Sequence, residues 1–344
     1  MQRQMPNESD LFGSDTDLLA CPACGADVET GPAVIRCLGC SRSYPLVDGI
    51  PLFYYPHEQD RVEEVTEIVR EFYESNPFPN YDDLDSRDSL TKKARHGKFA
   101  RLLDEQIPDG GLVLEAGCGT GQLSNFLGMS WRRRVFGVDI CLNSLRLAAA
   151  FSRRNSIKHV AFMQMNLFRP AFREQSFDVV ISNGVLHHTN SPLDGFRAIS
   201  RLVKPGGHII VGLYNTIGRL TTDLRRALFN TLGDRFRFVD PHMRHANYNE
   251  TRKQAWFMDQ YKHPRESKHS FDEILSWFDS CGFDFTLSIP KIWPKTFQPD
   301  ENLFGCNPRG TRLGRLITQA EMLARGGEDG ALFIMIGRNR TGDR

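Results

Sequence analysis

Glycines at alternate positions, Gly117, Gly119 and Gly121, stand between the apolar run Leu112-Val113-Leu114-Glu115 and a stretch of helical character. Glycines so placed at a strand-to-helix turn let the backbone pass close to a bound molecule, where any side chain would block the approach. Asp139 ends the next predicted strand, 18 residues after Gly121. An acid at that strand tip accepts two hydrogen bonds from a ribose diol. The same carboxylate would also suit a cap for a helix beginning near Leu142, and the spacing alone fits NAD-binding chains as well.

The rest of the chain places this turn in a regular series. Strands are predicted at Leu112 to Glu115, Arg134 to Asp139, Val160 to Asn166, Phe177 to Ser182 and His208 to Tyr214. Helices are predicted between them, around Leu123 to Leu127, Leu142 to Asn155 and Leu193 to Val203. Strands and helices that alternate through short connections give an α/β fold with a doubly wound, mostly parallel sheet. After Tyr214 the rhythm breaks, and residues 216–269 read as an insert. The capping box Ser270-Phe271-Asp272-Glu273 then opens a helix that Gly282 stops. Phe283 to Ile289 and Ala331 to Gly337 read as final strands, separated by a stretch without core character. Before the series, residues 1–16 read as a disordered tail. Residues 57–94 read as a helix, Gln59 to Ser75, with Val62, Val65, Val69 and Phe72 on one face, and then an aromatic loop, Tyr73 to Tyr81.

On these residues the chain resembles the class I S-adenosylmethionine-dependent methyltransferases, whose first motif stands here as Glu115-Ala116-Gly117-Cys118-Gly119-Thr120-Gly121. Val138-Asp139, Gln164-Met165-Asn166-Leu167, Ser176 to His188, and Leu202-Val203-Lys204-Pro205-Gly206-Gly207 are similar to its later motifs. The Val-Leu-His-His segment is most similar to ubiquinone and menaquinone biosynthesis methyltransferases. The resemblance implies a seven-stranded Rossmann-like sheet over residues 95–340. It also implies S-adenosylmethionine held by Glu115, Gly117, Gly119, Gly121, Asp139, Asn166, Leu167 and Asn183. Asn166 departs from the pattern, standing where an Asp is common.

Cys21-Pro22-Ala23-Cys24 and Cys37-Leu38-Gly39-Cys40 repeat a C-x2-C unit, and four thiolates at that spacing suit a tetrahedral zinc. With no open coordination position the metal would be structural, stapling a ribbon over residues 17–56 that is too small for a core of its own. The continuation Arg42 to Pro51 is similar to the small zinc-ribbon activator subunits of tRNA and rRNA methyltransferases. The ribbon is read here as a stabilising or docking module. The other four cysteines show no ligand spacing.

The chain has 344 residues, 25% charged and 40% hydrophobic, enough for one large α/β unit with smaller additions. A formal charge of +1 argues against a protein that coats nucleic acid through bulk charge. The first ten residues carry no apolar stretch of signal length, and the longest apolar runs are strand-sized. A cytoplasmic protein without a membrane partner is expected. Its oligomeric state stays open.

The acceptor of the methyl group is expected beyond the carboxyl ends of the strands. His187 is the expected base there, in preference to His188, because it is nearer the strand end. Tyr73 would supply part of a dry wall, and Asp259, Tyr261 and His263 of the insert are possible contacts under a capping subdomain. A small or medium-sized metabolite is the expected acceptor. The alternatives are a tRNA or rRNA, gripped by the ribbon and the basic insert, and a S-adenosylmethionine-binding module that activates a partner protein.

Overall fold

Four short strands precede the predicted series in the computed structural model, which describes residues 13–55, 60–79, 86–244, 249–325 and 328–340. They are β1 (Val28–Thr30), β2 (Val34–Cys37), β3 (Ser43–Val47) and β4 (Ile50–Phe53). Helices α1 (Asp60–Ser75), α2 (Arg87–His96) and α3 (Lys98–Gln106) follow. The alternating part comprises β5 (Gly111–Ala116), α4 (Gln122–Leu127), β6 (Arg133–Asp139), α5 (Leu142–Arg154), β7 (Val160–Met165), β8 (Phe177–Asn183), α6 (Pro192–Ser200) and β9 (Val203–Tyr214). The insert contains α7 (Leu220–Leu232) and α8 (Glu250–Phe257), and the chain ends with α9 (Phe271–Cys281), β10 (Phe283–Ile289), α10 (Arg312–Ala324) and β11 (Leu332–Asn339).

The sheet has eleven strands, in the order β1-β2-β3-β4-β7-β6-β5-β8-β9-β11-β10, and not the seven expected. Strands β5 to β11 form the expected set, parallel from β7 to β9, with β11 antiparallel to both β9 and β10. The four additional strands come from the ribbon. β4 lies parallel to β7, pairing Leu52 with Gln164 and Phe53 with Met165. Without β4 the outer edge of β7 would present unpaired backbone groups, so the ribbon covers an exposed edge.

Side-chain packing joins the two parts as firmly. Phe53 is fully buried and belongs to the same core cluster as Ile35, Tyr44, Phe136, Phe172 and Phe177. The ring of Tyr44 lies 5.1 Å from that of Phe53. Leu19 bridges to Phe172, and the backbone of Ala20 donates to the carbonyl of Ala171 at 3.1 Å. Order also begins earlier than the sequence suggests: Gly13–Leu18 is a 3-10 helix, and Asp15 pairs with Arg134 at 2.9 Å.

At the end of β7, Asn166 explains its departure from the family's pattern. Its side-chain amide donates to the carbonyl of Tyr55, just past β4, at 3.4 Å, while its oxygen accepts from the Phe168 backbone at 3.0 Å. An aspartate could accept the second bond and not donate the first. The ribbon therefore requires an amide here.

Helix α1 runs from the ribbon to the glycine loop. The carboxylate of Glu74, in its last turn, accepts from the backbone of Leu142 at 2.8 Å and of Asn143 at 3.2 Å. These are free donors of the first turn of α5, where a negative charge is stabilised. Of the expected stripe, the side chains of Val62 and Val65, like Tyr81 of the loop, lie outside the described residues, as do residues 1–12 of the tail. No helix among the described residues is long and apolar enough to cross a membrane.

The stretch between the last two strands, read as lacking core character, holds α10, capped by the hydroxyl of Thr311. Its buried face consists of Gly314, Arg315, Thr318, Gln319 and Met322, whereas Leu313 and Leu316 point outward. A helix that buries polar groups and exposes leucines conceals itself from a hydrophobic-periodicity reading.

Replacing Asn166 with Asp sets a carboxylate against the Tyr55 carbonyl. Asn166→Asp is expected to destabilise the fold by about 1–3 kcal/mol, read by urea unfolding with a single transition. Equal stability of the variant would show that the junction does not depend on the amide.

Candidate active site

β5 delivers its last residues to a turn in which Gly117 and Gly119 take φ of +82° and +52°. A Cβ on Gly117 would lie 2.3 Å from a Val185 methyl, and one on Gly119 would lie 2.5 Å from the carbonyl oxygen of Phe78. The second contact shows that the segment after α1 rests directly on the glycine loop. Thr120 adds a hydrogen bond from its hydroxyl to the carbonyl of Pro79.

Asp139 is held by the same loop. Its Oδ2 accepts from the Gly119 backbone at 2.8 Å and its Oδ1 from Cys141 at 2.9 Å. A carboxylate has about four acceptor positions, so each oxygen retains capacity toward the cavity it lines. Burial raises its pKa, against the lowering by those backbone donors. Glu115 is buried as well, accepts from the hydroxyl of Ser124, and is pushed up by burial to about 7.

These groups line one side of a cavity of about 450 Å³, a volume typical of ligand sites. Glu115, Gly117, Gly119, Asp139, Asn166, Leu167 and Asn183 all line it. Gly121 does not: it sits behind the loop, where a Cβ would meet Ala148 and Phe162 at 2.7 Å. Asn183 contributes a buried side-chain oxygen that has no hydrogen-bond partner.

The opposite wall is built by Tyr73, His188, Tyr214, Trp256, Asp259 and Gln260. Tyr73 donates to Asp259 Oδ1 at 3.0 Å, and the Gln260 amide donates to Asp259 Oδ2 at 2.9 Å and to the Tyr214 phenol at 2.8 Å. Asp259 lies in a π-helical continuation of α8, Met258–Lys262, a distortion frequent at functional sites. Burial raises the pKa of its carboxyl above the ordinary value.

The histidines are arranged differently from expectation. His187 is fully buried, stacks on Tyr214 with centroids 3.9 Å apart, and does not line the cavity; His188 does. The Nδ1 of His188 donates to the carbonyl of Arg265 at 2.8 Å. Its Nε2 therefore accepts, and the Nε2 of His187, 3.0 Å away, is the donor. Burial lowers the pKa of His188 to about 4 and that of His187 well below its ordinary value. His263 stacks behind His188 at 3.7 Å and beside Tyr73 at 5.3 Å, outside the cavity lining. Tyr261 turns away: its phenol donates to Asp240 at 2.8 Å within a small core formed with Phe229 and Phe257.

Tyr214, Trp256 and Gln260 were not singled out as contacts in the sequence. The position of Tyr214 at the carboxyl end of a parallel strand is a usable signal. Gln260 has none, because its role depends on contacts with residues far away in the chain.

Away from this cavity, the sulfurs of Cys21, Cys24, Cys37 and Cys40 all lie within 4.8 Å of one another. Two of the pairs are 3.4 Å and 3.7 Å apart, close to the roughly 3.8 Å edge of a tetrahedron with Zn–S bonds of ~2.3 Å. The backbone amides of Gly39 and Cys40 both donate to the sulfur of Cys37 at 3.3 Å. This donor set fits a structural zinc.

Residues 114–211 match the family model described as a methyltransferase domain. An uncharacterised protein of Synechococcus sp. is 26% identical over 71% of this chain and 64% of its own length. A Bos taurus protein named probable tRNA methyltransferase 9B is 31% identical over 42% of this chain and 28% of its own length. The demethylmenaquinone methyltransferase of Lactococcus lactis is 30% identical over 37% of this chain and 52% of its own length. The matches thus span less than two thirds of each of these relatives. Together with the glycine loop, Asp139 and the order of the seven strands β5 to β11, the family match shows a methyltransferase domain of Rossmann-like fold over residues 114–211.

Proposed function

We propose that the protein transfers a methyl group from S-adenosylmethionine to a small or medium-sized acceptor bound against Tyr73, His188, Tyr214 and Asp259. The observation that carries this reading is the continuity of the cavity. Its lining runs from the glycine loop and Asp139 to the insert without division, so donor and acceptor share one chamber. The Phe78–Pro79 segment and Trp256 of the insert also line it, narrowing the space left for a bulky polymer.

S-adenosylmethionine, when bound, supplies a methyl group activated on a sulfonium centre. The chain's own groups align the partners and exclude water. Asp139 receives the ribose hydroxyls and Asn166 and Leu167 border the adenine. On the acceptor side Asp259 takes over the role first expected of His187. Both ring nitrogens of His188 are engaged inside the protein, and His187 is out of reach. Asp259 is a buried carboxylate held by three donors, Tyr73, Gln260 and, at 3.5 Å, Tyr214, and it accepts a proton if the acceptor carries one on the attacking atom. Zinc on the four cysteines is structural, fixing the ribbon and through it β4.

The acceptor is identified by incubating the protein with methyl-labelled S-adenosylmethionine and a cell extract separated into small-molecule, RNA and protein fractions. Label in the small-molecule fraction is expected. Label confined to RNA would replace this reading.

Three further outcomes follow. Asp139→Ala is expected to weaken S-adenosylmethionine binding in calorimetry by roughly 10- to 100-fold, the value of one or two charge-assisted hydrogen bonds; unaltered affinity would remove Asp139 from the donor site. Asp259→Asn should lower kcat about 100-fold or more while leaving donor affinity near that of the parent, and an unchanged kcat would mean that no proton is taken there. Removing zinc with a chelator should lower the unfolding temperature and also weaken donor binding, because β4 and the Tyr55 carbonyl position Asn166. A protein isolated without zinc would refute the metal site.

A further inference from the structure

We propose that the outward face of the insert, formed by Leu220, Leu224, Leu232 and Phe238 with Arg235 and Arg244, docks on an anionic lipid bilayer. This surface is independent of the methyl-transfer reading. No membrane partner is expected from the sequence, on the ground that its apolar runs are too short to span a bilayer; docking requires no spanning segment.

Helix α7 is oriented inside out. Leu220, Leu224 and Leu232 are 47%, 73% and 48% exposed. The charged side chains are turned toward the protein, Asp223 pairing with Lys268 at 2.6 Å and Arg226 with Glu266 at 2.7 Å. With Leu228 between them, the leucines stand four residues apart and form one continuous ridge of the helix. Leu228 packs on the insert's small core beside Phe236. The ring of Phe238, 59% exposed, lies 6.0 Å from that of Phe236, which carries the apolar surface from the helix onto the next turn. A contiguous exposed apolar surface on a folded protein marks an interaction site.

Charge selects the occupant. Residues 216–270 hold eleven Lys or Arg against six Asp or Glu, in a chain whose total is only +1. Each of the six acids is already engaged: Asp223 by Lys268, Asp234 by Arg237 and Lys262, Asp240 by Trp256 and Tyr261, Glu250 by Lys253, Asp259 by Tyr73, and Glu266 by Arg219 and Arg226. The insert's surplus is therefore cationic. Arg235 and Arg244 are exposed in the turns that flank Phe238 and Val239. A two-fold pairing of this face with a second copy would set these cations against themselves. Anionic lipid accommodates both features, with leucine and phenylalanine side chains entering the acyl boundary and arginines meeting phosphates.

The test is co-sedimentation of the full chain with phosphatidylcholine vesicles and with mixed phosphatidylcholine–phosphatidylglycerol vesicles at low salt. Binding to the mixed vesicles, weakened by added salt, is expected, with little binding to pure phosphatidylcholine. Leu224→Asp, and separately the pair Arg235→Glu and Arg244→Glu, should each reduce that binding roughly tenfold or more, with thermal unfolding midpoints near that of the parent to show that the variants fold. Failure to sediment with mixed vesicles would overturn the proposal, as would equal binding by Leu224→Asp. A soluble dimer of the parent that Leu224→Asp dissociates would assign the face to a second copy instead.

Discussion

Arg219 holds the catalytic half of the molecule together. Its side chain has no solvent exposure, and its guanidinium lies 3.7 Å over the ring of Tyr214. It donates to the carbonyl of Gly330 at 2.9 Å, to Glu266 at 2.7 Å, and to the side-chain oxygen of Gln260. A buried guanidinium is expensive unless its donors are met, and here the partners come from three separate segments. Once the sheet, the end of the insert and the turn before β11 have closed around this charge, the position of Gln260 is determined. Gln260 in turn holds Asp259 and Tyr214, so the proposed acceptor wall depends on a cation that does not line the cavity.

That dependence explains which parts of the site were readable in advance. The donor half is local: Glu115 to Gly121 is one turn, Asp139 ends the neighbouring strand, and each residue's role follows from its place in a β-α unit. The acceptor half is assembled from α1, β9 and the insert, segments remote in sequence. The sequence does suggest Asp259 and Tyr73 as cavity residues, since aromatic and acidic side chains in an insert are natural suspects. It misplaces His187 relative to His188, because a 3-10 turn, Leu186–His188, decides which ring faces inward, and strand polarity does not. Tyr261 was misdirected for a similar reason. The π-helical turn shifts the residues after Met258 relative to a regular helix, and the Tyr261 phenol reaches Asp240 instead of the cavity.

The fold shows the same division. Every predicted strand of the alternating part is present, with boundaries moved by a residue or two except in β9, which begins earlier. What escaped was the joining of the ribbon to the sheet. β4 has only four residues, one of them a proline, and nothing in so short a run signals a parallel partner more than 100 residues later. The one local trace is Asn166. In the sequence it is only an Asn where an Asp is common, whereas in the structure it is the amide that ties Tyr55 to the end of β7.

Joining the ribbon to the sheet changes what a distant cysteine cluster means for methyl transfer. From the four cysteines the chain runs through β3 and β4 to Tyr55, where Asn166 grips it, and α1 then carries it to Glu74 on the first turn of α5 and to Phe78 on the glycine loop. Two of these three points lie on cavity-lining residues or the loop that holds them, and the third caps the helix that follows Asp139. The ribbon is thus one end of a strap laid over the donor half, while Arg219 braces the acceptor half from below. Donor affinity should accordingly respond to any binding event that displaces the ribbon, since β4 pairs with β7 beside Asn166.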